Sequence, residues 1–389
     1  LTLAAATAAT ITVGSASAAP TSETFLPAPT GPSPVGVTTL RLVDNDRQDP
    51  WTPGELREVP VTVHYPASAV EGYDTASYLP TEPGAAVGAL PPELVDAAQT
   101  RTNGHYNAPV AAGAHPVVLF SPGYQVPRFL YTIQAESLAS RGYVVISMDH
   151  PKDGLVSVFP DGRTVPGGVA DSYTDAGLKK AIDTRIADAQ LAIDAAETLS
   201  VGGNPDADSR VLPAGLNGNI DASRVGIYGH SIGGATATEV ARIDPRVAVA
   251  VNVDGALFYG NDASPVVTDG ASTPMLHLVT KIHADDESGK ERFWNQYFDT
   301  PRGWSKVYAL ADTGHISFTD FEHFVPQWVP DLPGMDMPGG FTLGTAPRAE
   351  VIRTTTDLTA AGFDRFLRGQ AAPVLDNPML QYPLISPVG

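Results

Sequence analysis

Val225-Gly-Ile-Tyr-Gly229-His-Ser231-Ile-Gly233-Gly234 is the stretch on which the fold turns. An apolar run stops at a glycine and a serine follows two residues on. A further pair of glycines then opens the segment Ile232–Arg242, whose apolar spacing is helical. A serine between a strand and a helix has to sit on a sharp, strained turn for its hydroxyl to stand clear of a sheet. Side chains at the flanking glycine positions would collide with the strand and helix beside them. The helix start behind Ser231 offers backbone N–H groups and the positive end of a dipole to an anion forming there. The five-residue pattern alone recurs by chance. An apolar strand before it and a helix after it make it specific, and Ser231 is the candidate nucleophile.

Outward from this turn, eight short β-branched runs can be marked: Val37–Val43, Val59–Tyr65, Val117–Ser121, Tyr143–Met148, Val225–Gly229, Val247–Val253, Met275–Thr280 and Lys306–Leu310. The first two alternate, which predicts a hairpin with one wet side; the later ones are continuously apolar, as in buried parallel strands. Helical patterns follow at Leu130–Arg141, Ala176–Leu199, Ile232–Arg242, Gly289–Phe298 and Ala349–Arg368. Strand alternating with helix predicts an α/β fold with a mostly parallel eight-stranded sheet flanked by helices. We expect a single catalytic domain over 37–389, preceded by an N-terminal arm at 19–36. The Pro/Gly-rich stretches 79–113 and 326–347 are long for loops, and serve either as lids and pocket walls or as plain surface insertions.

A serine hydroxyl needs a base. With a nucleophile on a strand–helix turn, the base falls on the loop after the last strand, which here reads Leu310-Ala-Asp-Thr-Gly314-His315. Of nine histidines, His315 alone has that position; His323 is its nearest rival. For the acid that orients the imidazole there are two candidates. Asp254 closes an apolar strand and is set for burial, whereas Asp285 and Asp286 follow the next strand in a solvated acidic cluster; we favour Asp254. The run Val117–Ser121 ends in Pro122-Gly123-Tyr124, so the Tyr124 amide, with that of Ile232, is the expected oxyanion donor. Tyr124, Phe129, Phe258, Tyr259 and Phe318 are candidate pocket walls, although aromatics near strand ends are more often core.

Composition narrows the chemistry further. A net charge of −19 repels phosphate backbones and argues against nucleic-acid binding. It also limits any lipid surface to transient contact. The absence of cysteine removes thiolate nucleophiles, disulfides and cysteine metal sites. Residues 1–18 are uncharged and Ala-rich and end in Ala16-Ser-Ala18, the small-x-small pattern of a signal-peptide cleavage site, so the expected location is extracellular; abundant Ala and Gly with arginine favoured over lysine suggest a bacterial source. Asp44-Asn-Asp46-Arg-Gln48-Asp49 through Glu55 loosely follows a calcium loop, the basis of an alternative reading as a binding module. It lacks the glycine at the sixth position and contains Pro50 and Pro53.

Several segments together resemble the plasma (type II) platelet-activating factor acetylhydrolases and their bacterial relatives, of the α/β-hydrolase superfamily. They are Phe120-Ser-x-Gly123, Leu138-Ala-Ser-x-Gly142-Tyr-Val144, Arg185-x-x-Asp188, Gly229-His-Ser-Ile-Gly-Gly234 and His315-x-x-Phe318-x-Asp320-Phe321. The resemblance runs from Gly31 to the last helix. It implies a serine esterase acting on short-acyl or phospholipid-type esters without metal or organic cofactor. It also implies Asp254 as the acid, because the family's acid follows the sixth strand, and Tyr124 and Ile232 as the oxyanion donors. The chain departs from the family at Pro122, where the family has histidine before the oxyanion-loop glycine. That departure leaves acyl preference open, and a broader lipase, cutinase or polyester hydrolase is the alternative.

Overall fold

All eight runs enter one sheet. The computed structural model describes residues 26–82, 88, 90, 100–168, 174–259, 262–285, 296–321, 323, 336–337 and 341–388. Over these residues the strands of the main sheet are β1 (Val35–Gln48), β2 (Leu56–Pro66), β3 (Thr75–Ser77), β4 (Arg101–Tyr106), β5 (His115–Ser121), β6 (Val144–Met148), β7 (Ile220–His230), β8 (Val247–Val253), β9 (Met275–Thr280), β10 (Ser305–Leu310) and β11 (Ile385–Pro387). Their order is β11-β10-β9-β8-β7-β5-β6-β2-β1-β4-β3. The block from β10 to β6 is parallel throughout, and β2 and β11 join it antiparallel on either side.

The parallel block follows from residues that are apolar on both faces. Val118 and Phe120 of β5 point to one face, beneath helices α1 (Thr132–Ser140) and α4 (Arg348–Leu367). Val117 and Leu119 point to the other, beneath α2 (Asp175–Ser200) and α3 (Ile232–Ile243). Each such side chain is essentially sealed and contributes about 1.5–3 kcal/mol by leaving water.

Three expectations change. The sheet has eleven strands rather than eight, because β3, β4 and β11 are short and lack the apolar signature. β4 lies inside the stretch expected to be loop at 79–113, paired parallel to β1 and antiparallel to β3. The β1–β2 hairpin forms, but its polar face is not wet. Thr62 and His64 are buried, and Arg128 Nε donates to Thr62 Oγ1 at 2.8 Å. The described part of the arm at 19–36 is fastened down: Leu26 is buried, and the Gly31 N–H donates to Ser140 Oγ at 2.8 Å. The leader expected at 1–18 and the greater part of the helix expected at Gly289–Phe298 lie outside the described residues.

Candidate active site

Ser231 caps α3 with φ 57° and ψ −127°, a conformation costing about 1–3 kcal/mol in a residue with a side chain. Packing enforces it. A Cβ on Gly229 would lie 2.2 Å from the Gly233 carbonyl oxygen, and one on Gly233 would lie 2.0 Å from that of Ser121. The strand, the turn and the helix therefore approach as closely as backbone allows, and the serine hydroxyl is pushed up at the carboxyl end of β7. The amide of Ile232 is the first of α3, one of the N–H groups with no acceptor inside a helix.

His315 opens a short 3₁₀ turn, His315–Phe318, beyond β10. Its Nε2 stands 2.9 Å from Ser231 Oγ, and its Nδ1 donates to Asp254 Oδ2 at 2.6 Å. Asp254 follows β8 in a left-handed backbone conformation, φ 52°. The Thr280 N–H and hydroxyl both donate to its Oδ1, at 2.8 and 3.2 Å. Burial drives this carboxyl's pKa up, but hydrogen bonds from His283 and His315 overcome the penalty and hold it well below the usual carboxylate range. It is therefore charged whenever His315 needs it. The three candidates from widely spaced segments meet in one hydrogen-bonded line. Asp285 instead pairs with Lys281 on the surface, and Asp286 lies outside the described residues.

Two polar networks not foreseen from sequence surround this line. In the first, the Gly123 N–H donates to Tyr131 Oη at 3.1 Å, and Tyr131 O–H donates to His230 Nδ1 at 2.8 Å. His230 Nε2–H then donates to the His315 carbonyl at 2.8 Å. Burial, helped by nearby His315, lowers the His230 pKa to about 3, so the ring stays neutral and can accept on one nitrogen while donating from the other. This chain ties the Pro122–Tyr124 loop to the base loop.

In the second, Arg185 on α2 donates to the Pro122 carbonyl at 2.5 Å and the Gly123 carbonyl at 3.3 Å, while Asp153 grips the same guanidinium at 2.6 Å. Ser121 Oγ, His150 and Asp188 continue it to Arg57, at 2.9, 2.9 and 2.7 Å in turn. The Arg185-x-x-Asp188 pattern marks this network, but its targets lie too far away in sequence to be read.

Tyr124 is half-buried and packs against Ile232 together with Leu178, Ile182 and Ile186 of α2, giving the serine an apolar flank. Phe318 is buried with its ring 5.9 Å from that of His230. Phe258 is half-buried on a two-residue strand. The side chain of Tyr259 lies outside the described residues. Phe129 is buried edge-on against Tyr78, with centroids 5.5 Å apart, and packs in the core. In the segment that follows a calcium loop, Asp44 accepts from Arg47 and Asp49 from Arg57, and these carboxylates form no metal-ligating cluster among the described residues.

A serine on a strand–helix elbow at the carboxyl edge of a parallel sheet, served by a histidine beyond the last strand of that block, defines the α/β-hydrolase class. Residues 18–158 and 173–335 match the model of the family described as platelet-activating factor acetylhydrolase, isoform II, and the chain belongs to that family. A probable 1-alkyl-2-acetylglycerophosphocholine esterase of Arthroderma benhamiae is 28% identical over 210 residues, covering 53% of this chain and 49% of the relative. The platelet-activating factor acetylhydrolase of Cavia porcellus is 24% identical over 235 residues, covering 56% and 51%. The chain thus spans about half the length of these curated relatives. Among solved structures, a ferulic acid esterase from Streptomyces cinnamoneus superposes with TM-score 0.77 at 31% identity, over 95% of this chain and all of that one.

Proposed function

We propose that this chain is an exported serine esterase that hydrolyses short-acyl carboxylic esters by acyl transfer through Ser231. The observation that carries the reading is the line Ser231–His315–Asp254, with links of 2.9 and 2.6 Å, at the start of α3. Ser231 Oγ attacks the ester carbonyl as His315 Nε2 takes its proton. The negative charge moves to the carbonyl oxygen, where the Ile232 and Tyr124 amides receive it. The tetrahedral adduct collapses, the alcohol leaves with the proton from His315, and water then enters by the same steps to release the acid. Asp254 keeps the imidazole in the tautomer that can accept at Nε2. Membership in an acetylhydrolase family supports a short acyl group. The pattern ending at Ala18 supports export; amino-terminal sequencing of the exported chain would test it.

A second reading is favoured by one observation. The ferulic acid esterase is 31% identical over 95% of the chain, whereas the two curated acetylhydrolase relatives are 28% and 24% identical over 53% and 56% of it. On that reading the acyl group is a hydroxycinnamate and Tyr124 faces its ring. Rates on p-nitrophenyl acetate to palmitate, on a 2-acetyl glycerophosphocholine and on methyl ferulate separate the two. A decline beyond short chains with turnover of the phospholipid supports the acetylhydrolase reading; preference for the ferulate supports the second. Turnover of none of these esters would sink both.

A further inference from the structure

Asp254 serves two imidazoles, and the mechanism uses only one. Its Oδ2 lies 2.6 Å from Nδ1 of His315 and 2.9 Å from Nδ1 of His283, whose ring centroids are 5.5 Å apart. One ligating atom from each of the three residues falls within a 4.8 Å span. The carboxylate is sealed, the His315 side chain is 10% exposed and that of His283 is 50% exposed, so the cluster opens to solvent on the His283 side. His283 rides on a short helix, Lys281–Ala284, that begins at Thr280, whose amide also fixes Asp254.

We propose that Asp254, His283 and His315 form an inhibitory site for a zinc-like divalent cation. This rests on His315 acting as the base. Two imidazoles and one carboxylate, with a fourth position left to water, suit zinc, whereas calcium and magnesium require six or more ligands that are chiefly oxygen. Ligand bonds of about 2.0–2.2 Å require the donors to part by a fraction of an ångström: the half-exposed His283 ring shifts on its side, and the His315 ring must also draw back from its 2.6 Å contact with Asp254. The proton balance gives the effect. Each neutral imidazole carries its proton on Nδ1 while bonded to Asp254. Ligation takes the Nδ1 lone pair, so the proton moves through solvent to Nε2 and none is gained or lost. His315 then presents an N–H to Ser231 and cannot accept the hydroxyl proton. The cation stops the reaction by fixing the wrong tautomer, with the path to Ser231 left open.

The test is titration of the intact protein with zinc chloride, read as ester turnover and, with cobalt chloride in its place, as visible absorption. His283→Gln is run in parallel, and each protein is normalised to its own rate in chelator. The proposal predicts inhibition reversed by chelator and a tetrahedral cobalt band, with no response to calcium or magnesium. It also predicts at least about a tenfold rise in the half-inhibiting zinc concentration for His283→Gln, since losing even an outer partner of a metal site costs that much. Equal zinc sensitivity in both proteins, or no cobalt band in the wild type, would overturn it. Absence of turnover in chelator would instead strike the esterase reading, while the cobalt band and its loss in His283→Gln would still decide the site.

Discussion

At Asp254 the two carboxylate oxygens have different duties. Oδ1 accepts from Thr280 and Oδ2 faces His315. In Asp254→Asn the Thr280 N–H still needs an acceptor, so the amide oxygen takes the Oδ1 place and the NH₂ turns to His315. That forces Nδ1 to accept and puts the proton on Nε2, where it is useless to Ser231. We expect kcat to fall roughly 10⁴-fold with KM little changed, the size of the same tautomer error elsewhere. Steady-state kinetics on p-nitrophenyl acetate would check this, and a loss under tenfold would contradict it. Tyr131→Phe is a milder residue-scale probe. It keeps the ring against Phe120, at 4.6 Å, but orphans the Gly123 N–H and His230 Nδ1. Unsatisfying buried partners costs about 1–3 kcal/mol. The oxyanion loop loses its tie to the base loop, so kcat should drop more than KM rises; a pure KM effect would argue against that coupling.

Among the elements, α2 bears on catalysis without contributing to the reacting line. Its Arg185 clamps the Pro122 and Gly123 carbonyls, which sets the direction of the Tyr124 amide. Arg185→Met leaves Asp153 buried and unpaired, at about 3–5 kcal/mol of stability. Arg185→Met/Asp153→Asn should recover much of that stability in chemical denaturation and still show reduced kcat, because the loop stays unclamped. Full recovery of kcat with stability would reduce Arg185 to a structural role. At this scale sequence reading succeeds where burial is two-sided: the continuous runs of β5 to β10 declare themselves. It misses β4, whose Arg101-Thr-Asn-Gly-His-Tyr106 carries no apolar alternation and is drawn into the sheet by its neighbours. It also misses the three-residue strands, which are too short for any period.

Over the whole molecule, stability against acid is set by buried titratable groups of opposite habit. Burial, with minor help from Arg128, His315 and Arg302 respectively, pushes His64, His230 and His277 down to about 3. Their folded pKa values lie below the unfolded 6.5, so their stabilisation is complete above pH 6.5 and is lost as pH falls toward 3. Burial pushes Glu136 and Asp320 up to about 7, against their hydrogen-bond donors. Their contribution is complete below about pH 4 and is lost as pH rises through 7. Between pH 6.5 and 4.5 the two sets oppose each other, so stability changes only gently with pH. Below pH 4 the histidines are joined by Asp188 and Asp254, whose carboxyls are held well below the usual range, and the slope steepens. Urea unfolding from pH 7 to 3.5 should show that break; a uniform slope would refute this balance.

The site was legible to the extent that chain order constrains it. Ser231 and His315 each carry a local signal, a glycine-flanked turn and a position after the last parallel strand. Asp254 needed the burial argument. His283, Tyr131 and Arg185 were not legible as partners, because each meets its target only after the sheet has brought distant segments together.

The central claim is that Ser231 carries the acyl group. Its most direct test is intact-mass and peptide-level mass spectrometry after treatment with a fluorophosphonate, on wild type and Ser231→Ala. The account predicts one adduct, on the peptide holding Ser231, with turnover lost in step and neither adduct nor turnover in Ser231→Ala. An adduct on another residue, or ester hydrolysis that persists in Ser231→Ala, would contradict it.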